Sequence, residues 1–369
     1  MNRKIKIGNF EAACLLLNMI SSKIILDFPR TVSEDAGTAG WLMTLVVSAV
    51  VIALFSVLSG LYRKFAGRDL LDVGESALGS VGRILTGLLF MLQFLLIIPI
   101  ILREFAEDIK VISLASTPIS MIILIFCAGM IVGAWLGLET LARIHVLTVP
   151  ILAGAFVLIL LLNVQNFDIS RLAPWLGLGG DVILRKGIVN LSIYSEFIVL
   201  FFMLPYLNNK KDFSGIGRYS LVFSGLFLVL TSLCYALFYQ YPETTELFLP
   251  MYQMAREINL GRFFTRIESA FIVIWASSAF LYLSSGLYFI TWLFREAFGL
   301  KYQKPLILPF AILVFTISMV PENLYSTLQF EMEFYRSWSW ILTFLFPLLL
   351  VIIASLRVRS RKRKEAAES

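Results

Sequence analysis

Lys23 and Glu196 are the residues of this chain best placed to do chemistry. Each sits near the middle of an otherwise apolar run: Lys23 follows Ser21 and Ser22 in 10–29, and Glu196 follows Tyr194 and Ser195 in 188–207. An ammonium or a carboxylate within hydrocarbon is costly unless it pairs, faces a cavity or binds something. A cation and an anion in matching apolar runs point to a small-molecule site at a membrane midplane, built from broken helices as in secondary transporters.

The composition supplies that membrane. Of 369 residues, 59% are hydrophobic and 15% charged, and the mean hydropathy is +0.83. A soluble domain cannot bury that much apolar surface, so the chain reads as a polytopic, all-α membrane protein. The net charge of +6 does not indicate nucleic acid, because the basic residues fall in short connections and in the tail. Cys14, Cys127 and Cys234 lie in apolar runs, which suits small hydrophobes rather than a disulfide or a zinc site. No metal, cofactor or cleavable signal peptide is expected. No Cys–His pair, Ser–His–Asp set or glycine-rich phosphate loop suggests an enzyme.

Ten spans of about 20 residues are predicted, at 10–29, 41–62, 81–102, 118–137, 144–163, 188–207, 218–240, 267–295, 304–320 and 338–356. They form one membrane domain, 1–356, followed by a basic tail, 357–369. Pro29, Pro205 and Pro321 close spans, and Pro118 and Pro305 open them. Pro99, Pro150, Pro309 and Pro347 predict kinks. Twenty Lys and Arg collect on one side and ten on the other, Arg103 and Arg336 among the ten, with Lys23 completing the 31. The richer side is cytoplasmic by the positive-inside rule, and it holds both termini. Five spans per half make span 1 and span 6 run in opposite directions, so 10–163 and 188–356 read as inverted repeats. A short inner helix is expected around 70–78. In the outer connection 241–266, Met251, Met254 and Ile258 recur at helical spacing, giving a helix that lies over the outer mouth like a lid or rests on the interface.

The stretches Phe-Leu-Pro-Met-Tyr-Gln-Met-Ala-Arg-Glu-Ile (248–258) and Gly-Arg-Phe-Phe-Thr-Arg-Ile-Glu (261–268), then Ile-Trp (274–275) and Ser-Gly-Leu-Tyr (285–288), resemble the endospore germination permeases. So do Asp-Ala-Gly-Thr-Ala-Gly-Trp (35–41), Thr-Pro-Ile (117–119) and Gly-Leu-Glu-Thr-Leu-Ala-Arg (137–143). These permeases are the B subunits of spore germinant receptors, within the amino acid–polyamine–organocation superfamily. The resemblance implies a LeuT-like fold of ten helices with helices 1 and 6 broken. It implies the inner membrane of the spore, a membrane A subunit and a lipid-anchored C subunit as partners, and a small germinant, typically an amino acid. A true amino acid transporter, proton-coupled or uncoupled, is the alternative that sequence does not separate from a sensor.

A broken helix exposes N–H groups that favour a carboxylate and carbonyls that favour an ammonium. Carried over from superfamily relatives, Ser21 and Ser22 meet a ligand carboxylate, and the backbone of Tyr194, Ser195, Glu196 and Phe197 meets its amine. Span 1 here lacks the glycine that relatives use, though serine eases unwinding by bonding its own backbone. Lys23 has three readings: replacing a sodium ion between spans 1 and 8 beside Ser277 and Ser278, binding the ligand carboxylate, or pairing with Glu196. Glu196 binds the ammonium, carries a proton, or pairs with Lys23. On span 8, Ser277, Leu281, Ser284 and Tyr288 share one helical stripe, with Ser284 and Tyr288 the side-chain candidates and core packing the alternative. Gln93 and 97–99, Ile98 included, are candidates for an apolar wall. His145, at the inner start of span 5, is given no role, and Arg266 and Glu268, at the outer start of span 8, are read as a local ion pair or as snorkelling side chains.

Overall fold

A computed structural model describes residues 6–258 and 267–368, without the side chains of 267–270 and 361–368. Arg262, Arg266 and the side chain of Glu268 lie outside the described residues. The regular structure of the described residues is helical, save one parallel bridge between Ile7 and Leu207. The helices are α1 (Asn9–Ser21), α2 (Phe28–Ala36), α3 (Gly40–Tyr62), α4 (Leu70–Leu78), α5 (Ser80–Ile112), α6 (Ile119–Leu136), α7 (Leu138–Leu162) and α8 (Gly180–Asn190). There follow α9 (Val199–Met203), α10 (Phe213–Phe238), α11 (Pro250–Arg256), α12 (Ile267–Ala297), α13 (Lys304–Ser318), α14 (Leu324–Gln329), α15 (Arg336–Trp340) and α16 (Phe346–Glu368). Among the described residues eight helical runs are long and apolar enough to cross a membrane, and α13 is a shorter apolar helix. Leucines such as Leu147, Leu161 and Leu308 are exposed along them, as lipid-facing positions are.

Helix-by-helix packing puts the first predicted span at the centre. α1 lies against α7 and α10, α3 packs on α10, and α5 packs on α12. The N-terminal strand of chain is tied to the end of the sixth predicted span. The Ile7 N–H donates to Tyr206 O (2.9 Å), and the Asn208 N–H donates to Ile7 O (2.9 Å). Beside this bridge, Asn9 Nδ2 donates to Asp212 Oδ2 (2.5 Å).

Several predicted boundaries are corrected. Pro29 does not close a span; it sits in the first turn of α2, where its missing N–H has no helical partner to lose. α5 runs ten residues past the predicted end at 102 and carries Arg103 and Glu104 inward. Arg103 is therefore not in an outer connection. Its guanidinium pairs with Glu107 (2.8 Å) and donates to Ser318 O (3.1 Å) and Glu322 O (3.2 Å), capping the carbonyl end of α13. The run that holds the sixth predicted span starts at Gly180, and the last helical run at Leu324, so Arg336 too lies inside a helix. A hydropathy reading ends a span at such charges because it cannot see that they are paired. Pro99, Pro150 and Pro309 all lie within helices. Pro347 follows a π-helical turn, Ile341–Leu345, the wider spacing that accommodates a residue without a donor.

The expected inner helix is α4, capped by Asp69, whose carboxylate accepts from the Asp72 N–H (2.8 Å). Burial, helped by repulsion from Asp72, raises the Asp69 carboxyl to about 7. The folded protein then holds this proton more tightly than the unfolded chain. Stability from this group is therefore greatest below its ordinary carboxylate range and falls as pH rises to about 7. Asp69→Asn keeps a good cap and removes the titration. Thermal unfolding of the purified protein between pH 5 and pH 8 should show a smaller pH-dependent fall in Tm for the variant. Equal slopes would mean that Asp69 does not titrate in this window.

Candidate functional site

The first predicted span breaks where its polar residues begin. α1 ends at Ser21, a 3-10 turn covers Ser22–Ile24, and helix resumes only at Phe28. Ser22 Oγ donates to Asn18 O (2.5 Å), the back-bonding that serine was expected to supply in place of glycine. The opposed break is the 3-10 stretch Leu191–Ile198, in which Tyr194 leaves helical geometry (φ −95°, ψ 18°). Both breaks are buried, with Lys23 at 3% and Glu196 at 1% exposure.

Lys23 and Glu196 meet there. Lys23 Nζ donates to Glu196 Oε2 at 2.8 Å and to Ile193 O at 3.1 Å. The carbonyl freed by the second break is thus already occupied by an ammonium, the protein's own. Glu196 also accepts from Ser195 Oγ (3.2 Å) and from Tyr282 OH (2.8 Å), and Tyr335 OH donates to Ser195 Oγ (3.0 Å). A buried ion pair is tolerable when its remaining lone pairs are satisfied in this way. This geometry corrects the sodium-like reading of Lys23, which points at the second break and not at Ser277 or Ser278.

A second polar layer joins α1 to α12. Ser278 Oγ donates to Asn18 Oδ1 (2.6 Å), Asn18 Nδ2 donates to Ser278 O (3.3 Å), and Ser22 Oγ lies 3.4 Å from Ser278 Oγ. These groups and Ser21 border a cavity of about 70 Å³, otherwise walled by apolar side chains of α7, α10, α11 and α12. The Ser21 hydroxyl is buried there without a hydrogen-bond partner among the described residues. Met251 of α11 closes one side. Met251 and Met254 are fully buried, so this helix covers the cavity, as a lid would.

The other candidates are placed elsewhere. Tyr194 OH pairs with Ser48 Oγ on α3 (2.6 Å), and Phe197 packs edge-on against Phe55 (4.9 Å), so both side chains turn away from α1. Ser277 is exposed, its hydroxyl returned to Val273 O. Ser284 bonds Phe280 O (2.6 Å) and packs where α6 presents Gly133. Tyr288 borders a separate cavity of about 510 Å³ with Trp135, Arg295, Lys301 and Lys304. Ile98 fills the notch left by Gly286. Gln93 donates to Thr343 Oγ1 (3.0 Å). His145 is buried inside α7, with Nδ1 2.7 Å from Leu141 O. Of the expected stripe on α12, Leu281, Ser284 and Tyr288 are buried and only Ser277 is exposed, because the helix is buried all round from 281 to 290; Ser278 and Tyr282 are the side chains that reach the two breaks.

Sequence reasoning missed Asn18, Tyr282 and Tyr335, and a third polar group on the far side of Lys23. There a cavity of about 10 Å³ is lined by Lys23, Asp27, Ile101, Glu104, Glu331 and Arg336. Arg336 binds Glu331 Oε1 through Nε (3.0 Å) and Nη2 (2.9 Å). Spacing offered one signal, Glu331 and Arg336 one turn apart, but the predicted tenth span began after both.

Two broken helices facing each other around buried charge define a transporter-like membrane protein. The same fold occurs in Mhp1, a nucleobase-cation-symport-1 family transporter in a closed conformation with bromovinylhydantoin bound (TM-score 0.64, 13% identity, 96% of this chain and 91% of that one). It also occurs in a Na+-coupled sialic acid symporter in a substrate-bound outward-open state (TM-score 0.68, 13% identity, 96% and 91%). The chain belongs to the spore germination protein family, whose pattern it matches over residues 6–327. It is 26% identical to spore germination protein A2 of Bacillus subtilis (strain 168), over 96% of this chain and 97% of that protein. It is 25% identical to spore germination protein KB of the same organism, over 99% and 98%. It is accordingly a multi-pass, non-enzymatic membrane protein, and the resemblance seen in 248–258 and 285–288 holds along the chain.

Proposed function

We propose that this protein is the membrane B subunit of a spore germinant receptor, binding a small germinant, an amino acid, beside the break between α1 and α2. In this reading ten helices form two inverted repeats, both termini are cytoplasmic, and A and C subunits sense the change. The observation that carries it is the Lys23–Glu196 pair, which holds the two breaks together through groups a zwitterion would use. A ligand carboxylate competes with Glu196 for Lys23, and a ligand ammonium competes with Lys23 for Ile193 O and Glu196. Either exchange shifts the equilibrium between a closed form and one with the breaks apart, by as much as the ligand prefers the second. Ser21, Ser22 and Ser195 supply hydroxyls on the two sides of the break. A second reading, an amino acid transporter, is favoured by the fold shared with two symporters.

Purified chain in sealed vesicles separates the two. Saturable binding of labelled amino acids without uptake or exchange is expected of the sensor. Concentrative uptake or exchange would make transport primary, and absence of binding by the whole panel would end both readings.

A further inference from the structure

The small cavity beside Lys23 has an unbalanced wall. Lys23 is neutralised by Glu196, Asp27 by Arg30 (2.8 Å), and Glu331 by Arg336 (2.9 Å). Of the charged residues lining the cavity, Glu104 alone has no salt-bridge partner among the described residues. Glu104 is 2% exposed and Arg336 7%. Glu104, Glu331 and Arg336 line the same cavity, so two carboxyl groups face one guanidinium, and Glu331 alone is bonded to it. Two atoms here are buried without hydrogen-bond partners among the described residues: Glu104 Oε1 and Arg336 Nη1. One is a carboxyl oxygen that can accept and the other a guanidinium nitrogen that can only donate. Leaving such groups unsatisfied is expensive, more so for charged groups than for neutral ones.

We infer that Glu104 and Arg336 are the two jaws of a clamp for a zwitterion. The ammonium of an α-amino acid enters between Glu104 and Glu331 and donates to Glu104 Oε1. Its carboxylate takes Arg336 Nη1, within reach of Lys23. The inference rests on the reading of the chain as an amino acid sensor, and it assigns the gripping groups to the far side of Lys23 rather than to Ser21 and Ser22. At about 10 Å³ the cavity has room for a single water. An amino acid enters only as the wall yields, and the wall contains the π-helical segment Phe330–Tyr335, which carries Glu331. Such a turn holds one residue more than an α-turn and is common at functional sites.

The test is equilibrium dialysis of the full chain in lipid nanodiscs against an equimolar mixture of the twenty proteinogenic amino acids, read by mass spectrometry. The wild type should retain at least one. Glu104→Gln keeps shape and removes charge, and should lower that retention by about 30-fold or more, the range for truncating one partner of a buried charge pair. Arg336→Gln alone strands Glu331, so the double variant Glu331→Gln/Arg336→Gln is used, with the same loss expected. Both variants must elute and melt like the wild type. Retention within about threefold of wild type in both variants would overturn the clamp and leave the sensor reading standing. No retention by the wild type would overturn the sensor reading, and the clamp with it.

Discussion

Lys23→Met should be the most damaging single substitution in the membrane interior, with a loss of about 3–5 kcal/mol. The substitution leaves the Glu196 carboxylate buried with only the hydroxyls of Ser195 and Tyr282 to hold it. It also strands the carbonyl of Ile193. The double variant Lys23→Met/Glu196→Gln removes both charges, and should recover most of that loss because an apolar or neutral pair of similar volume replaces the ion pair. Thermal unfolding in one detergent reads both. A double variant as unstable as Lys23→Met would show that the pair is not what holds the two breaks together. Amino acid retention discriminates further. If the pair only fixes packing, the restored double variant binds as the wild type does; if it is the switch, binding stays lost.

The second large effect is expected at Gly286→Val. A side chain at this position of α12 would overlap Ile98 Cδ1 and Cγ1 on α5. Small residues let membrane helices approach closely, and overpacking such a contact costs about 1–3 kcal/mol. Ile98→Ala opens the space, so Gly286→Val/Ile98→Ala should be more stable than Gly286→Val alone. Additive destabilisation in that cycle would mean that the two side chains do not share this contact. The result also bears on the candidate wall: Ile98 serves helix packing, and Ile101, one turn further on, faces the small cavity.

What was legible in the sequence follows from what single residues can report. Lys23 and Glu196 stood out because each is isolated in an apolar run, and isolation of charge needs no knowledge of the partner helix. The breaks were legible for the same reason, in Ser21-Ser22-Lys23 and Tyr194-Ser195-Glu196. The helix α11 was readable because Met251 and Met254 are both apolar and one turn apart. Glu104, Glu331 and Arg336 were hidden because hydropathy counts buried charges as it counts exposed ones, and thereby ended the third span early and began the tenth late. Tyr282 was missed because α12 is buried on every face from 281 to 290, and no periodicity marks which of its side chains reaches Glu196. Which serine faced inward depended on Asn18, a contact 260 residues distant in sequence.

The bridge between Ile7 and Leu207 ties the start of one broken helix to the finish of the other. Each of its two backbone hydrogen bonds is worth about 1 kcal/mol net, and the Asn9–Asp212 contact adds a third anchor. Motion of α1 away from Leu207 must break all three together. On the side where these residues lie the molecule is therefore latched, and the start of α1 and the end of the sixth predicted span move as one piece or not at all.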